Sequence, residues 1–268
     1  MKTVKTLCAL FIVTALLACA APALWASESW ATDPDTGCKI GWVSQTYSLV
    51  KASWTGPETD GKAEGNGVAT LTLRKPATRG QQGEELQITA DGTMHAGKLD
   101  GKVSLKYSSG ASYEGDYKMG VRDGKGIYKW VDGRVYDGDW QNDGMSGKGI
   151  VKLPDGSYYD GEWKNSWPNG HGIGVYPSAG LTFEGEFKDG KREGKGTTKW
   201  RNGQTYEGEA KGGLMHGKGI LKYANGHVYE GEFSNDKING YGTLKDASGK
   251  VIYEGQWKDN RYASGEQM

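Results

Sequence analysis

The side chains able to do chemistry in this sequence are few and scattered. The four histidines, His95, His171, His216 and His227, are too dispersed for a metal cluster. His171 stands between Gly170 and Gly172, and His216 just before Gly217, so both read as surface or groove positions. Gly170-His171-Gly172-Ile173-Gly174 has the glycine density of a nucleotide-binding loop. Such a loop must open a helix after a strand, and these glycines instead belong to a repeating pattern. Asp33-Pro34-Asp35-Thr36-Gly37 opens like a calcium loop but lacks the terminal glutamate, which a calcium site needs for its bidentate ligand. It reads as linker. No Gly-x-Ser-x-Gly elbow occurs. Cys38 has no neighbouring histidine motif, so a free thiol or a pairing between chains is its expected chemistry. The reading is of a protein that is not an enzyme, with no cofactor and no metal site.

The other two cysteines belong to the N-terminal segment. Lys2 and Lys5 precede an apolar run from Leu7 to Leu17, the layout of a signal peptide and too short for an ordinary spanning helix. Residues 1–26 are therefore expected to be a signal. Leu16-Leu17-Ala18-Cys19 resembles a bacterial lipobox, which would place a lipid on Cys19; cleavage after Ala20 or Ala26 is the alternative. Export is expected either way, to the periplasm or outer membrane (lipid-anchored if Cys19 is acylated) or to the medium.

Composition bounds the partners. Lys plus Arg equals Asp plus Glu at 33 each, whereas nucleic-acid binders carry the basic excess that phosphate neutralisation requires. Nucleic acid is excluded on that ground. Hydrophobic residues are 36% of the chain, and 44 glycines stand beside ten tryptophans and fifteen tyrosines. A thick aliphatic core is not available, and a thin sheet of aromatics packed on glycines is.

The elements that carry these residues repeat. Tyr113-Glu114-Gly115-Asp116-Tyr117 returns at Tyr136, Tyr159, Phe183, Tyr206, Tyr229 and Tyr253, every 23 or 24 residues. A Gly-x-Gly pair follows in each complete unit, as at Gly217 and Gly219. Period-two alternation of aromatic and acidic residues predicts a strand, and segments such as Gly219-Ile220-Leu221-Lys222-Tyr223 predict a second. Asp132-Gly133, Asp155-Gly156, Asn202-Gly203 and Asn225-Gly226 predict tight turns with positive φ at both central residues. A glycine between two aromatics leaves room for a ring from the neighbouring strand. Lys106, Lys129, Lys152, Lys199, Lys222 and Lys245 form one column, expected to pair across the sheet with the acidic columns at about 0.2–1 kcal/mol per pair.

The Tyr-Glu-Gly-Glu-Phe/Trp opening, the Gly-Lys-Gly middle and the Asp/Asn-Gly turn resemble the MORN repeat (membrane occupation and recognition nexus), in particular exported bacterial proteins of this type. The resemblance is strong over residues 113–257, with six complete units and the start of a seventh. His95 to Tyr107 and Trp54-Thr55-Gly56 with Gly65 and Gly67 look like weaker copies. Residues 38–54 resemble the N-terminal cap of bacterial members. Those carry a second cysteine after Trp-x-Gly, where this chain has Pro57 and Glu58.

The resemblance implies an all-β fold: an elongated, single-layer antiparallel β-meander of stacked hairpins with a grooved face. The expected divisions are signal 1–26, linker 27–37, cap and degenerate repeats 38–112, repeats 113–257 and tail 258–268. Residues 74–85 are expected to form a polar loop. It also implies a scaffold that binds a protein or peptide in the cell envelope. A phospholipid surface is the alternative, and carbohydrate or cell wall a further one. Trp163, Trp167, Trp200 and Trp257 are the candidate groove aromatics. Tyr253, Gly255 and Trp257 are the candidate edge of a homodimer formed through the C-terminal repeat.

Overall fold

A computed structural model describes residues 27–44, 46–75 and 83–262. The signal with Cys19, the centre of the 74–85 insertion and the end of the tail lie outside the described residues. Those residues form strands and turns without a helix. The chain divides into two compact units between Pro154 and Asp155.

In the first unit, Ser27–Thr32 runs antiparallel to Lys39–Ser44, so the stretch expected as linker contains a strand. The two-residue strands Lys62–Ala63 and Glu58–Thr59 complete a small four-stranded sheet. The turn between its first two strands is tied by Asp33, which is buried and accepts the N–H groups of Asp35 at 2.9 Å and Trp54 at 2.7 Å. The calcium-like opening is thus a structural turn. A meander follows from Ser48–Trp54 through Gly65–Arg74, Glu85–His95, Lys98–Tyr107, Ser112–Lys118, Val121–Lys129 and Val135–Gln141 to Gly144–Lys152. Each strand pairs antiparallel with the next. The second unit continues the same pattern from Tyr158–Lys164 to Arg261–Tyr262.

Positive φ at two successive residues does occur, but at the other hairpin ends. Asn142-Asp143, Asn235-Asp236 and Asp259-Asn260 all lie in the left-handed region, as two-residue turns with the right-handed strand twist require. The Asp/Asn-Gly sites are longer loops. Trp200 N–H donates to the Gln204 carbonyl and Gly203 N–H to the Trp200 carbonyl, both at 2.9 Å, and only Gly203 has positive φ, +88°. This is a type I turn closed by a left-handed glycine, the usual three-residue hairpin. The Asn202 side chain favours it by accepting the Gln204 N–H at 3.0 Å.

The opening aromatic of each repeat covers two glycines. Tyr206 is 2% exposed. A Cβ built on Gly208 would stand 2.5 Å from its hydroxyl, and one on Gly219 would stand 2.4 Å from Cε2. Gly208 and Gly219 face each other across the two strands. The covering ring therefore comes from two residues back in the same strand, where the sequence suggested the neighbouring strand. The hydroxyl then donates to the carbonyl three residues on, Tyr206 to Glu209 at 2.7 Å and Tyr136 to Asp139 at 2.9 Å.

The weak first copy works the same way. Trp54 lies against Gly56 and Gly67, and its Nε1–H donates to the Pro57 carbonyl at 2.7 Å. The copy expected from His95 in fact opens at Ala90, with His95 at its hairpin end, and it inverts the volumes: Ala90 stands where the ring would be, and Val103 replaces the covered glycine. Both are buried.

The closing aromatics interleave with the opening ones, edge to face. Phe233 sits 5.0 Å from Tyr206 and 5.2 Å from Tyr229, and Trp257 sits 5.2 Å from Tyr229, ring centre to ring centre. Such pairs add about 0.5–1.5 kcal/mol beyond area burial. With Leu221, Ile238 and Leu244 they form the core of the second unit. All of it lies on one face of the strands, because successive side chains alternate.

Candidate functional site

The opposite face carries the charges, and the hairpin of each complete repeat contains a bulge. The first glycine of each Gly-x-Gly has positive φ, +62° at Gly217, which a side chain rarely adopts. The ladder shifts there, between Gly208 and Glu209 on the partner strand. In four repeats the second acid closes the bulge from nine residues back in sequence. Asp116 accepts the Lys125 N–H at 3.0 Å, Asp139 the Lys148 N–H at 2.9 Å, and Glu232 the Tyr241 N–H at 2.8 Å.

The ladder to the next repeat is unshifted, and it decides which lysines meet acids. Lys102, which follows Gly101, and Lys125 of a Gly-Lys-Gly lie opposite the second acid of the next repeat: Lys102 Nζ is 2.8 Å from Asp116 Oδ1, and Lys125 Nζ is 2.7 Å from Asp139 Oδ1. Lys102 and the Lys125 N–H hold Asp116 below the usual carboxylate range. Lys125 and the Lys148 N–H do the same for Asp139. The column expected to pair with the acids does not face them. Lys129 is opposite Val135, Lys199 opposite Thr205, and Lys222 opposite Thr205 and Val228.

In the second unit this face forms an open groove of about 1130 Å³. Its acids are Glu184, Glu186, Glu207, Glu209, Glu230 and Glu232, a pair from each of three successive repeats, all exposed. Lys195 and Lys218 stand between the pairs. His171 marks one end, its Nδ1 3.4 Å from Glu186 Oε1. The half-exposed Tyr241 marks the other, its hydroxyl donating to Glu254 at 3.2 Å. Beyond the acids, alternation puts Lys188 and Lys211 along one margin and Lys199, Lys222 and Lys245 along the other. The face is thus zoned, with acidic carboxylates along the floor and ammonium groups along the sides.

Of the aromatics expected in a groove, none lines this one. Trp163 and Trp257 are 3% and 2% exposed and belong to the core face. Trp200, half-buried, packs against that core. Trp167 is half-buried opposite Lys164, its ring against Gly190. The rings alternate inward with the glycines they cover, which is why they cannot also point into the groove. The acids alternate outward, and that period-two pattern was the available signal.

At the C-terminal repeat, Val251–Lys258 is followed by a return. Trp257 pairs with Tyr262 and Lys258 with Arg261. A short second strand, Arg261–Tyr262, therefore forms within the stretch expected as tail. Tyr262 stacks on Tyr253 at 4.5 Å and meets Trp257 at 4.9 Å. The rings expected at a dimer edge are occupied by their own chain, beside Gly255, which Tyr253 covers.

Cys38 is a buried free thiol, and burial raises it above the ordinary thiol range. Among the described residues, no group of three or more His, Cys, Asp or Glu side chains is disposed to hold a metal ion.

A family model for the MORN repeat matches residues 113–133, 136–158, 159–178, 183–205, 206–228, 229–251 and 253–263. No curated protein matches the chain.

Proposed function

Because the chain belongs to the MORN repeat family, whose repeats generally serve in membrane- or protein-binding scaffolds, we propose that it is an exported, non-enzymatic scaffold. Its partner is a protein or peptide in the cell envelope, held on the zoned face of the repeats. The observation that supports this reading most directly is the groove itself. It is open along its length and built only from positions that recur in every repeat, so its surface suits a long ligand. Export rests on Lys2, Lys5 and the apolar run from Leu7 to Leu17. Cys19→Ser should move a lipidated form from the membrane fraction to the soluble periplasm.

Binding of an anionic phospholipid surface is a second reading, favoured by the lysine margins, since each cation near such a surface contributes about 1 kcal/mol. The six groove glutamates oppose it. A photo-crosslinking side chain at Ile220 or Thr197 in the groove, with Val251 as an outside control, separates the two. The scaffold reading expects a discrete protein adduct from the groove positions and none from the control. Adducts to lipid alone, together with co-sedimentation on anionic vesicles, would replace it with the membrane reading.

A further inference from the structure

We infer that the groove of the second unit takes a polypeptide segment in the polyproline II conformation, with a Lys or Arg at every third position and non-basic residues between. This inference rests on the scaffold reading and names the partner's chemistry.

The charge of the groove selects a cationic ligand. Six glutamates face two lysines in the groove, so its floor favours cations. The three first acids, Glu184, Glu207 and Glu230, lie opposite Thr197, Ile220 and Thr243. The three second acids lie opposite His171, Lys195 and Lys218. A cation over each rung therefore meets two carboxylates, beside His171 at the first rung and one lysine at each of the other two.

The spacing of the rungs selects the ligand's conformation. Each rung is one hairpin, and two strands at about 4.8 Å each set a period of about 9.6 Å across the sheet. A polyproline II helix rises about 3.1 Å per residue with three residues per turn, which returns the same side of the helix every 9.3 Å or so. A ligand crossing the strands in that form presents one side chain to each rung from a single edge, and every third residue is that edge.

The margins select against cations on the remaining edges. The other two edges of such a helix face outward, toward Lys188 and Lys211 on one side and Lys199 and Lys222 on the other. Cations there are repelled. The zoning thus distinguishes a spaced cationic ligand from a continuous basic run, which would gain at the floor and lose at both sides. The helix is also extended before it binds and has no internal hydrogen bonds to break, so little ordering cost opposes association.

The test uses the full chain and three synthetic peptides, with affinity read by fluorescence anisotropy. One repeats Arg-Pro-Pro, one has the same composition with its arginines contiguous, and one is all lysine. The spaced peptide should bind at least about tenfold more tightly than the block peptide, a difference of about 1.4 kcal/mol. Its affinity should fall with salt, as for any contact between exposed charges. Glu184→Gln/Glu207→Gln/Glu230→Gln should lose that binding at an unchanged melting temperature, because these first acids are exposed and the bulges are closed by the second acids. Lys211→Glu/Lys222→Glu should raise affinity for the block peptide. Equal binding of spaced and block peptides, or full affinity in the triple Gln variant, would overturn the inference. If no peptide binds while Ile220 still crosslinks a protein, the cationic partner is wrong and the scaffold reading stands.

Discussion

The ring of Tyr206 lies across the backbone of Gly219 so closely that a β-carbon there would stand 2.4 Å from Cε2. Side chain and glycine thus form one packed object drawn from two strands. The natural inversion at Ala90 and Val103 shows the other way to fill the same space. Gly219→Val alone should destabilise by about 1–3 kcal/mol through overpacking. Tyr206→Ala alone should cost about 3–5 kcal/mol through the cavity it leaves. The double variant should be less destabilised than the sum by about 1 kcal/mol or more, within the range of contacting pairs. Simple additivity in urea denaturation would count against the shared packing.

The hydroxyl of that ring has its own role, because its bond to the Glu209 carbonyl satisfies an acceptor beside the bulge. Tyr206→Phe should cost about 1 kcal/mol, and Tyr229→Phe, whose bond to the Glu232 carbonyl is 3.2 Å, somewhat less. Phe183 has no hydroxyl to lose, so Phe183→Leu should show only a packing loss. Unchanged melting temperatures for both tyrosine variants would refute the contribution.

Alkaline pH should reveal the same groups. Burial is the leading cause that raises the Tyr206 and Tyr229 hydroxyls from 10.0 to about 12. Their folded values exceed the unfolded one, so the stability they confer is complete below pH 10 and is lost as pH rises to about 12. The unfolded state binds fewer protons in that window, and the slope is therefore negative. Tyr206→Phe/Tyr229→Phe should show a shallower fall in urea midpoint between those limits. An identical slope would mean that these tyrosines do not titrate as described.

At low pH the bulge acids respond in the opposite sense. Asp116 and Asp139 have folded values below 3.8, so their contribution is present above about that pH and disappears as pH falls through the folded values. Asp139→Asn should lower stability by about 1 kcal/mol at neutral pH. Its effect should vanish in acid. A penalty that persists in strong acid would point to shape rather than charge.

Much of this architecture was legible because period-two alternation and fixed repeat length are local properties of the chain. The strand pairs, the glycine requirement and the all-β class follow from residues such as Tyr206, Gly208 and Gly219. What the alternation does not encode is the bulge at Gly217. One positive φ there shifts the pairing within its own hairpin, while the unshifted ladder to the next repeat sets Lys102 and Lys125, not Lys129 or Lys222, opposite carboxylates. The turn type at Asn202-Gly203 was hidden for a similar reason, since the dipeptide fits two loop lengths and backbone hydrogen bonds choose between them. Strand Ser27–Thr32 carried no repeat signal, because its pairing with Lys39–Ser44 is particular to the cap. The groove was legible as columns of acids but not as a concave surface, which depends on how successive hairpins sit side by side.

The two fastenings described for a repeat, from ring hydroxyl to a carbonyl three residues on and from acid to a backbone N–H nine residues on, begin and end within one copy. A tandem gain or loss of a whole copy leaves every remaining copy with its own fastenings and changes the groove by one rung. Loss of a single residue inside a strand instead sends rings and carboxylates to exchanged faces. Ligand length is therefore a heritable count, altered in one step by gain or loss of one segment, while the chemistry of each remaining rung is left as it was.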